Sequence, residues 1–70
     1  MKITVNGDNI DVAATTMADL LVELAYDGKI ATALNEEFVA ASNRNNVELH
    51  EGDRVEILAP MQGGLDAAIL

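Results

Sequence analysis

Few residues of this chain are suited to chemistry. The 70-residue sequence contains no Cys and one His, which excludes thiolate-bound zinc, iron–sulfur clusters and cysteine nucleophiles. His50 lies between Glu48 and Glu51, but neighbouring residues of a strand point to opposite faces, so only Glu48 would share its face. We therefore expect a solvated histidine beside a turn, no metal or cofactor and no catalytic constellation, and we predict that the protein is not an enzyme.

A glycine pair near the C-terminus is the second feature to explain. Gly63 and Gly64 follow Pro60, Met61 and Gln62, and six residues come after them. On its own, such a pair is most often a flexible link to a short tail. Here it lies beyond the last predicted strand, so its meaning depends on the fold that precedes it.

The charge composition of the chain argues against some classes of binding partner. Twelve acidic residues against four basic ones give a formal net charge of -8, which repels phosphate backbones and anionic membrane surfaces. The sequence has no apolar run close to the roughly 20 residues of a membrane-spanning helix, and its first residues lack the apolar stretch of a signal peptide. We expect one cytoplasmic domain that binds neither nucleic acid nor membranes.

The first half of the sequence predicts a hairpin followed by a helix. Residues 2–6 and 10–12 alternate between polar and apolar types around Asn6-Gly7, a pair favoured in tight turns because both residues tolerate positive φ. Thr16 can cap a helix with Asp19 three residues later. An apolar stripe at helical spacing predicts a helix over residues 17–27, ended by Gly28; the stripe consists of Met17, Leu20, Leu21, Leu24 and Ala25.

The second half of the sequence predicts short extended segments. Residues 30–34 and 38–40 are two short strands, with Asn35-Glu36-Glu37 as the turn between them. The polar residues 42–46 predict a loop, and the alternation at residues 47–49 predicts a further short strand. The last strand covers residues 54–59 and stops at Pro60, which has no N–H to donate to a ladder.

This order of elements predicts an α+β domain. Strands on both sides of a single helix favour a mixed sheet with the helix on one face. The first and last strands pair in the centre of that sheet, because this buries the most apolar residues, Ile3 and Val5 with Val55 and Ile57. The arrangement is the β-grasp, ubiquitin-like topology. We assign residues 1–60 to the domain and residues 61–70 to a flexible C-terminal tail.

Four segments together resemble the ThiS/MoaD family of sulfur carriers. They are residues 3–7 (ITVNG), 33–39 (ALNEEFV), 51–57 (EGDRVEI) and 62–64 (QGG). The resemblance spans residues 1–64. The compact length and the sequence MQGG are closer to the thiazole-synthesis carriers, ThiS, than to MoaD, the small subunit of molybdopterin synthase.

The resemblance implies a function for the tail. In this family a ThiF-like adenylyltransferase of the ubiquitin-activating type adenylates the terminal glycine carboxylate, sulfur replaces AMP, and the thiocarboxylate supplies sulfur to a ThiG-like thiazole synthase. Gly64 would be the acceptor and Gly63 its access residue, because residues without Cβ let the backbone enter a narrow channel. Leu58, Met61 and Gln62 would contact the partners, although Leu58 suits a core position equally well.

One feature departs from the family pattern. Family members end at the second glycine, whereas this chain continues through residues 65–70, so Gly64 lacks the free carboxylate that adenylation needs. Either a processing protease removes these six residues, or the segment is artificial, or the chain is a ubiquitin-like interaction module that is never thiocarboxylated. A MoaD-like subunit of molybdopterin synthase is a further alternative.

Overall fold

The computed structural model describes residues 1–59. Strands and helices follow one another in this order: β1 (Lys2–Val5), β2 (Asp8–Asp11), α1 (Met17–Glu23), β3 (Ala31–Leu34), β4 (Glu37–Val39), a 3-10 helix (Ala41–Asn46) and β5 (Arg54–Leu58). All strands belong to one five-stranded sheet with the order β2-β1-β5-β3-β4.

The first and last strands meet in the centre of the sheet. β1 runs parallel to β5, with Val5 opposite Val55, while every other neighbouring pair is antiparallel. Ile3, Val55 and Ile57 are almost fully buried and Val5 is 8% exposed. The predicted central pairing and the α+β, β-grasp fold class are therefore confirmed.

Two tight turns close the hairpins on either side of the central pair. Asn6 and Gly7 join β1 to β2 with φ of 52° and 87°. Asn35 and Glu36 join β3 to β4 with φ of 51° and 73°. Positive φ at both central residues is the type I′ geometry, whose twist matches that of the flanking strands. Glu37, predicted in the second turn, instead begins β4, because two residues suffice for this turn.

Helix α1 covers one face of the sheet and begins as predicted. The Thr16 hydroxyl accepts a hydrogen bond from the Asp19 N–H at 3.1 Å. Met17 and Leu20 are fully buried and Leu21 is 7% exposed. The apolar stripe therefore supplies most of the core on the helix side.

The helix ends one turn earlier than predicted, at Glu23 rather than residue 27. The Ala25 N–H donates to the Val22 carbonyl at 3.1 Å, and the Tyr26 N–H donates to the Leu21 carbonyl at 2.9 Å. This is a Schellman closure, in which the residue after the C-cap takes a left-handed conformation. Ala25 occupies that position with φ of 62° and is exposed, so Gly28 does not end the helix.

The connection between β4 and β5 also differs from the prediction. Residues 41–46 form a 3-10 helix instead of an irregular loop, and residues 47–49 make no strand. Glu48 forms a single antiparallel bridge with Thr16, and the Leu49 N–H donates to the Thr15 carbonyl at 2.9 Å. The antiparallel pairing cannot continue past this bridge, because the segment opposite Glu48 becomes helix α1 at Met17.

Arg44 anchors the 3-10 helix to the sheet. Its Nε donates to the Thr32 hydroxyl at 3.1 Å, and its Nη2 donates to the Ile30 carbonyl at 2.8 Å. Thr32 is 2% exposed and donates in turn to the Val39 carbonyl at 2.8 Å. The one buried polar side chain among the described residues is thus hydrogen-bonded on both sides, as burial requires.

Truncating Leu21 tests the packing of α1. Leu21→Ala should lower the free energy of unfolding by about 2–5 kcal/mol, because it removes buried methyl groups and leaves a cavity. The control is Val22→Ala, since Val22 is the next residue of the helix and is 80% exposed. Urea denaturation measures both; equal losses would show that α1 does not pack as described.

Glycine at position 25 tests the helix end. Ala25→Gly should raise the free energy of unfolding by about 0.5–1 kcal/mol, because glycine adopts positive φ without a Cβ clash. The matched control, Ala18→Gly inside α1, should lower stability, since glycine loses more conformational entropy there. Thermal denaturation that gave both substitutions the same sign would contradict the left-handed closure.

Candidate functional site

One of the five predicted site residues falls within the described residues. Leu58 is the last residue of β5. Met61, Gln62, Gly63 and Gly64 lie outside the described residues, so their roles stay predictions. What the structure adds is the surface next to which the tail begins.

Leu58 is a surface residue. Val55 and Ile57 point toward α1, and strand alternation therefore directs Glu56 and Leu58 to the opposite face of the sheet. The Leu58 side chain is 69% exposed. The core interpretation of Leu58 is wrong, and its contact with a partner stays a prediction.

A second large apolar residue lies on the same open face. Phe38 on β4 is 73% exposed, because its neighbour Val39 occupies the buried side of the strand. The register places Phe38 opposite Ala33 and Leu58 opposite Ala31. We call these four residues the open-face patch: Ala31, Ala33, Phe38 and Leu58.

The open-face patch is an exposed apolar surface and a candidate site for a partner. Small alanines between two large apolar side chains leave a shallow relief, and exposed apolar patches of this kind mark interaction surfaces. Sequence reasoning did not single out Phe38. The available signal was the Glu37-Phe38-Val39 triplet, in which only one of the two apolar side chains can face the core.

Among the described residues, one basic side chain, Lys29, lies near the open-face patch, and the other charged groups there are acidic or ion-paired. Glu56 lies on this face, opposite Ala33. Arg54 donates to the Glu36 carboxylate at 3.4 Å in an exposed ion pair. With a net charge of -8 over the chain, the complementary partner surface would be apolar at its centre and basic around it.

His50 occupies an exposed turn, as predicted. Its backbone N–H donates to the Asp53 carboxylate at 2.7 Å, and its Nδ1 lies 4.0 Å from the same Oδ2 atom. Within residues 1–59, no three His, Cys, Asp or Glu side chains are grouped so as to hold a metal ion. No helix in the same range is long and apolar enough to span a membrane.

The five-stranded mixed sheet, covered on one face by α1 and open on the other, defines a β-grasp, ubiquitin-like domain. Residues 3–64 match the ThiS family. The chain belongs to the ThiS family. The sequence resemblance is thereby confirmed on its ThiS side, and the matched region ends at Gly64.

Solved structures agree with this assignment. The crystal structure of the thiamine biosynthesis protein ThiS from Geobacter metallireducens is 29% identical with a TM-score of 0.78, covering 91% of this chain and 100% of its own. The solution structure of a thiamine biosynthesis protein from the same organism is 30% identical with a TM-score of 0.76, covering 93% of this chain and 90% of its own.

A longer relative matches over nearly the whole chain. A thiazole synthase from Paramagnetospirillum magneticum is 39% identical, and the match covers 97% of this chain and 22% of the relative. The chain thus spans about a fifth of the length of that curated relative. Since the match leaves only 3% of this chain uncovered, it includes most of residues 65–70.

Proposed function

We propose that this protein is a sulfur carrier for thiamine-thiazole biosynthesis, with Gly64 as the residue that carries the sulfur. The observation that supports this most directly is the family match, which spans residues 3–64 and ends on the second glycine of the pair. The likeness to ThiS structures from a thiamine pathway supports the same role. The domain is then a substrate of other enzymes rather than a catalyst.

The chemistry requires a free carboxylate at Gly64. A carboxylate oxygen attacks the α-phosphorus of ATP and pyrophosphate leaves, which gives an acyl adenylate. With sulfide as the nucleophile, sulfur then attacks the carbonyl carbon, the bond to AMP breaks and a thiocarboxylate forms. Gly63 and Gly64 suit this step because backbone without Cβ atoms fits a narrow channel.

The residues after Gly64 make a prior cleavage necessary. A processing protease would add water across the Gly64–Leu65 amide, which releases the Gly64 carboxylate and the amine of Leu65. The thiazole synthase relative supports a natural origin for this segment, because the match to it includes most of residues 65–70. The same match favours the thiamine pathway over a MoaD-like role in molybdopterin synthesis.

The proposed partners are a ThiF-like adenylyltransferase and a ThiG-like thiazole synthase in the cytoplasm. Both must bind the domain and reach Gly64. The open-face patch is well placed for this, because Leu58 ends β5 and only five further residues separate it from Gly64. We propose that Leu58, Met61 and Gln62 form one continuous contact, with Phe38 extending it across the sheet.

A second candidate is an interaction module that is never thiocarboxylated. The observation that favours it is the amide bond at Gly64, which blocks activation of the chain as it stands. This module would use the same open-face patch, so binding alone does not separate the two functions. The formation of the thiocarboxylate does.

Activation should depend on where the chain ends. Incubated with a ThiF-like enzyme, ATP and sulfide, the 70-residue chain should stay unchanged, whereas a form ending at Gly64 should exchange one oxygen for sulfur. Intact-mass spectrometry measures the exchange. In the shorter form, Gly64→Val should suppress it, because a β-branched side chain blocks the channel while the fold is unaffected. If the form ending at Gly64 is never converted, the interaction module replaces the carrier.

Binding of the adenylyltransferase should depend on the open-face patch. Leu58→Ser and Phe38→Ser should each raise Kd about tenfold, roughly 1.4 kcal/mol, because each removes an apolar anchor from the contact. The control is Val22→Ser, which changes an equally exposed residue on α1, across the sheet from the patch. Titration calorimetry compares the three.

Salt separates the charged contribution from the apolar one. Raising the ionic strength should weaken binding in the unmutated protein and in all three variants alike, because exposed charges are screened over about 8 Å at physiological salt. Equal affinity of the Leu58→Ser and Val22→Ser proteins would place the docking surface elsewhere. Binding that is insensitive to salt would remove the electrostatic part of the proposal.

A further inference from the structure

Near its C-terminal end, β5 is held in the sheet by a side chain as well as by backbone hydrogen bonds. Asp53 and Val55 direct their carbonyls toward β1 and accept from the backbone N–H groups of Thr4 and Asn6, at 3.0 and 2.9 Å. β1 then turns away at Asn6, so it offers no further peptide group to Ile57. The Asn6 side chain takes over: its Oδ1 accepts from the Ile57 N–H at 2.8 Å, and its Nδ2 donates to the Ile57 carbonyl at 3.1 Å.

The other type I′ turn makes a similar contact at the opposite end of β5. The Asn35 N–H donates to the Arg54 carbonyl at 2.7 Å, and its Oδ1 accepts from the Arg54 N–H at 2.9 Å. Both asparagines have positive φ and both bond the two backbone groups of one β5 residue. They differ in position, because Asn35 holds the start of β5 and Asn6 holds its end.

We propose that Asn6 is a positioning residue for Gly64, because it fixes the point at which the tail leaves the domain. This inference rests on the proposed carrier function. The side-chain amide of Asn6 replaces the missing β1 peptide group and holds Ile57 on the β1 side, while β3 pairs with Ile57 and Leu58 on the other side. Asn35 makes an equivalent contact with β5 but has no influence on the tail.

The position of the end of β5 is important because few residues separate it from Gly64. The five residue-to-residue steps from Ala59 to Gly64 span at most about 18 Å when extended, so a partner must bind the domain close to its own active site. Without the Asn6 amide, the end of β5 is held by β3 alone, through the pairs Thr32–Ile57 and Ala31–Leu58, and frays more often. Fraying lengthens the arm, lowers the effective concentration of Gly64 at that site and displaces Leu58 within the open-face patch.

The effect should appear in binding of the carrier and not in the chemical step. A carrier in which the end of β5 is frayed cannot bind the partner. The apparent affinity is therefore the intrinsic affinity multiplied by the fraction of carrier molecules with β5 fully paired. Once Gly64 is seated, adenylation proceeds at the partner's own rate. Loss of the Asn6 side chain should shift the equilibrium between paired and frayed β5 about three- to tenfold, as loss of an ordinary hydrogen bond does, so KM for the carrier should rise by at most that factor with kcat unchanged.

The test compares Asn6→Gly with Asn35→Gly. Glycine keeps the positive φ of each turn, so Asn6→Gly loses only the side-chain contact with β5. Asn35→Gly also loses the hydrogen bond from Asn35 Nδ2 to the Asp53 carboxylate at 3.1 Å. The first measurement is amide hydrogen exchange in the full 70-residue chain. Asn6→Gly should speed exchange of the Ile57 N–H, and Asn35→Gly that of the Arg54 N–H.

The second measurement is the rate of acyl-adenylate formation with a ThiF-like enzyme, using forms that end at Gly64. Residues beyond Gly64 lie outside the family match, and the Geobacter ThiS structure is covered in full by 91% of this chain, so these forms retain the whole fold. Asn6→Gly should raise KM with kcat unchanged, whereas Asn35→Gly should leave both unchanged at a comparable loss of thermal stability.

The outcomes distinguish the two proposals. Equal KM for the two variants, with an unmutated carrier that is activated, would overturn the positioning role and leave the carrier function intact. Failure of the unmutated form to be activated would instead overturn the carrier function. Should Asn6→Gly not fold, Asn6→Asp replaces it beside the Asn35→Gly control, because aspartate keeps the acceptor for the Ile57 N–H and removes the donor to the Ile57 carbonyl.

Discussion

The parallel pairing of β1 with β5 is the constraint from which the rest of the structure follows. Parallel neighbours cannot be joined by a hairpin, so the chain between Val5 and Arg54 has to cross over the sheet and return. Helix α1 lies in that crossover and covers the face where Ile3, Val55 and Ile57 are buried. Closing so long a loop costs conformational entropy, and burial of these apolar side chains offsets it.

The pairing of β1 with β5 also determines which residues are exposed on the face of the sheet opposite α1. Because β5 lies in the middle of the sheet, its last residue, Leu58, lies away from both sheet edges and is exposed on the open face. α1 occupies one face, which leaves Phe38 and Leu58 as large apolar side chains on the other. The outer strand β2 carries Asp8 and Asp11, and charges on an edge strand discourage pairing with a second chain. Edge-to-edge association through β2 is therefore disfavoured.

Sequence reasoning succeeded where short-range chemistry controls the outcome and was less accurate elsewhere. The Asn6-Gly7 turn and the Thr16 cap depend on residues within three positions of one another, and both are present. The helix end was mispredicted because Ala25, a residue with little preference for positive φ, adopts the left-handed conformation that Gly28 was expected to supply. Residues 47–49 alternate like a strand, yet their partner becomes helical after one bridge. For the candidate site, the sequence singled out the glycine pair and Leu58, whose roles stay predictions, and it did not single out Phe38.

By itself the sequence determined the local turns, the apolar stripe of α1, the acidic surface and the glycine pair that belongs to the ThiS family. These features depend on residue type and on spacing along a single element. Only the tertiary structure decided that Leu58 and Phe38 share an exposed face, and that the amide of Asn6 bonds a residue 51 positions away. The reason is physical: exposure and long-range hydrogen bonds depend on which elements pack together, and the side-chain pattern of one strand is compatible with several neighbours.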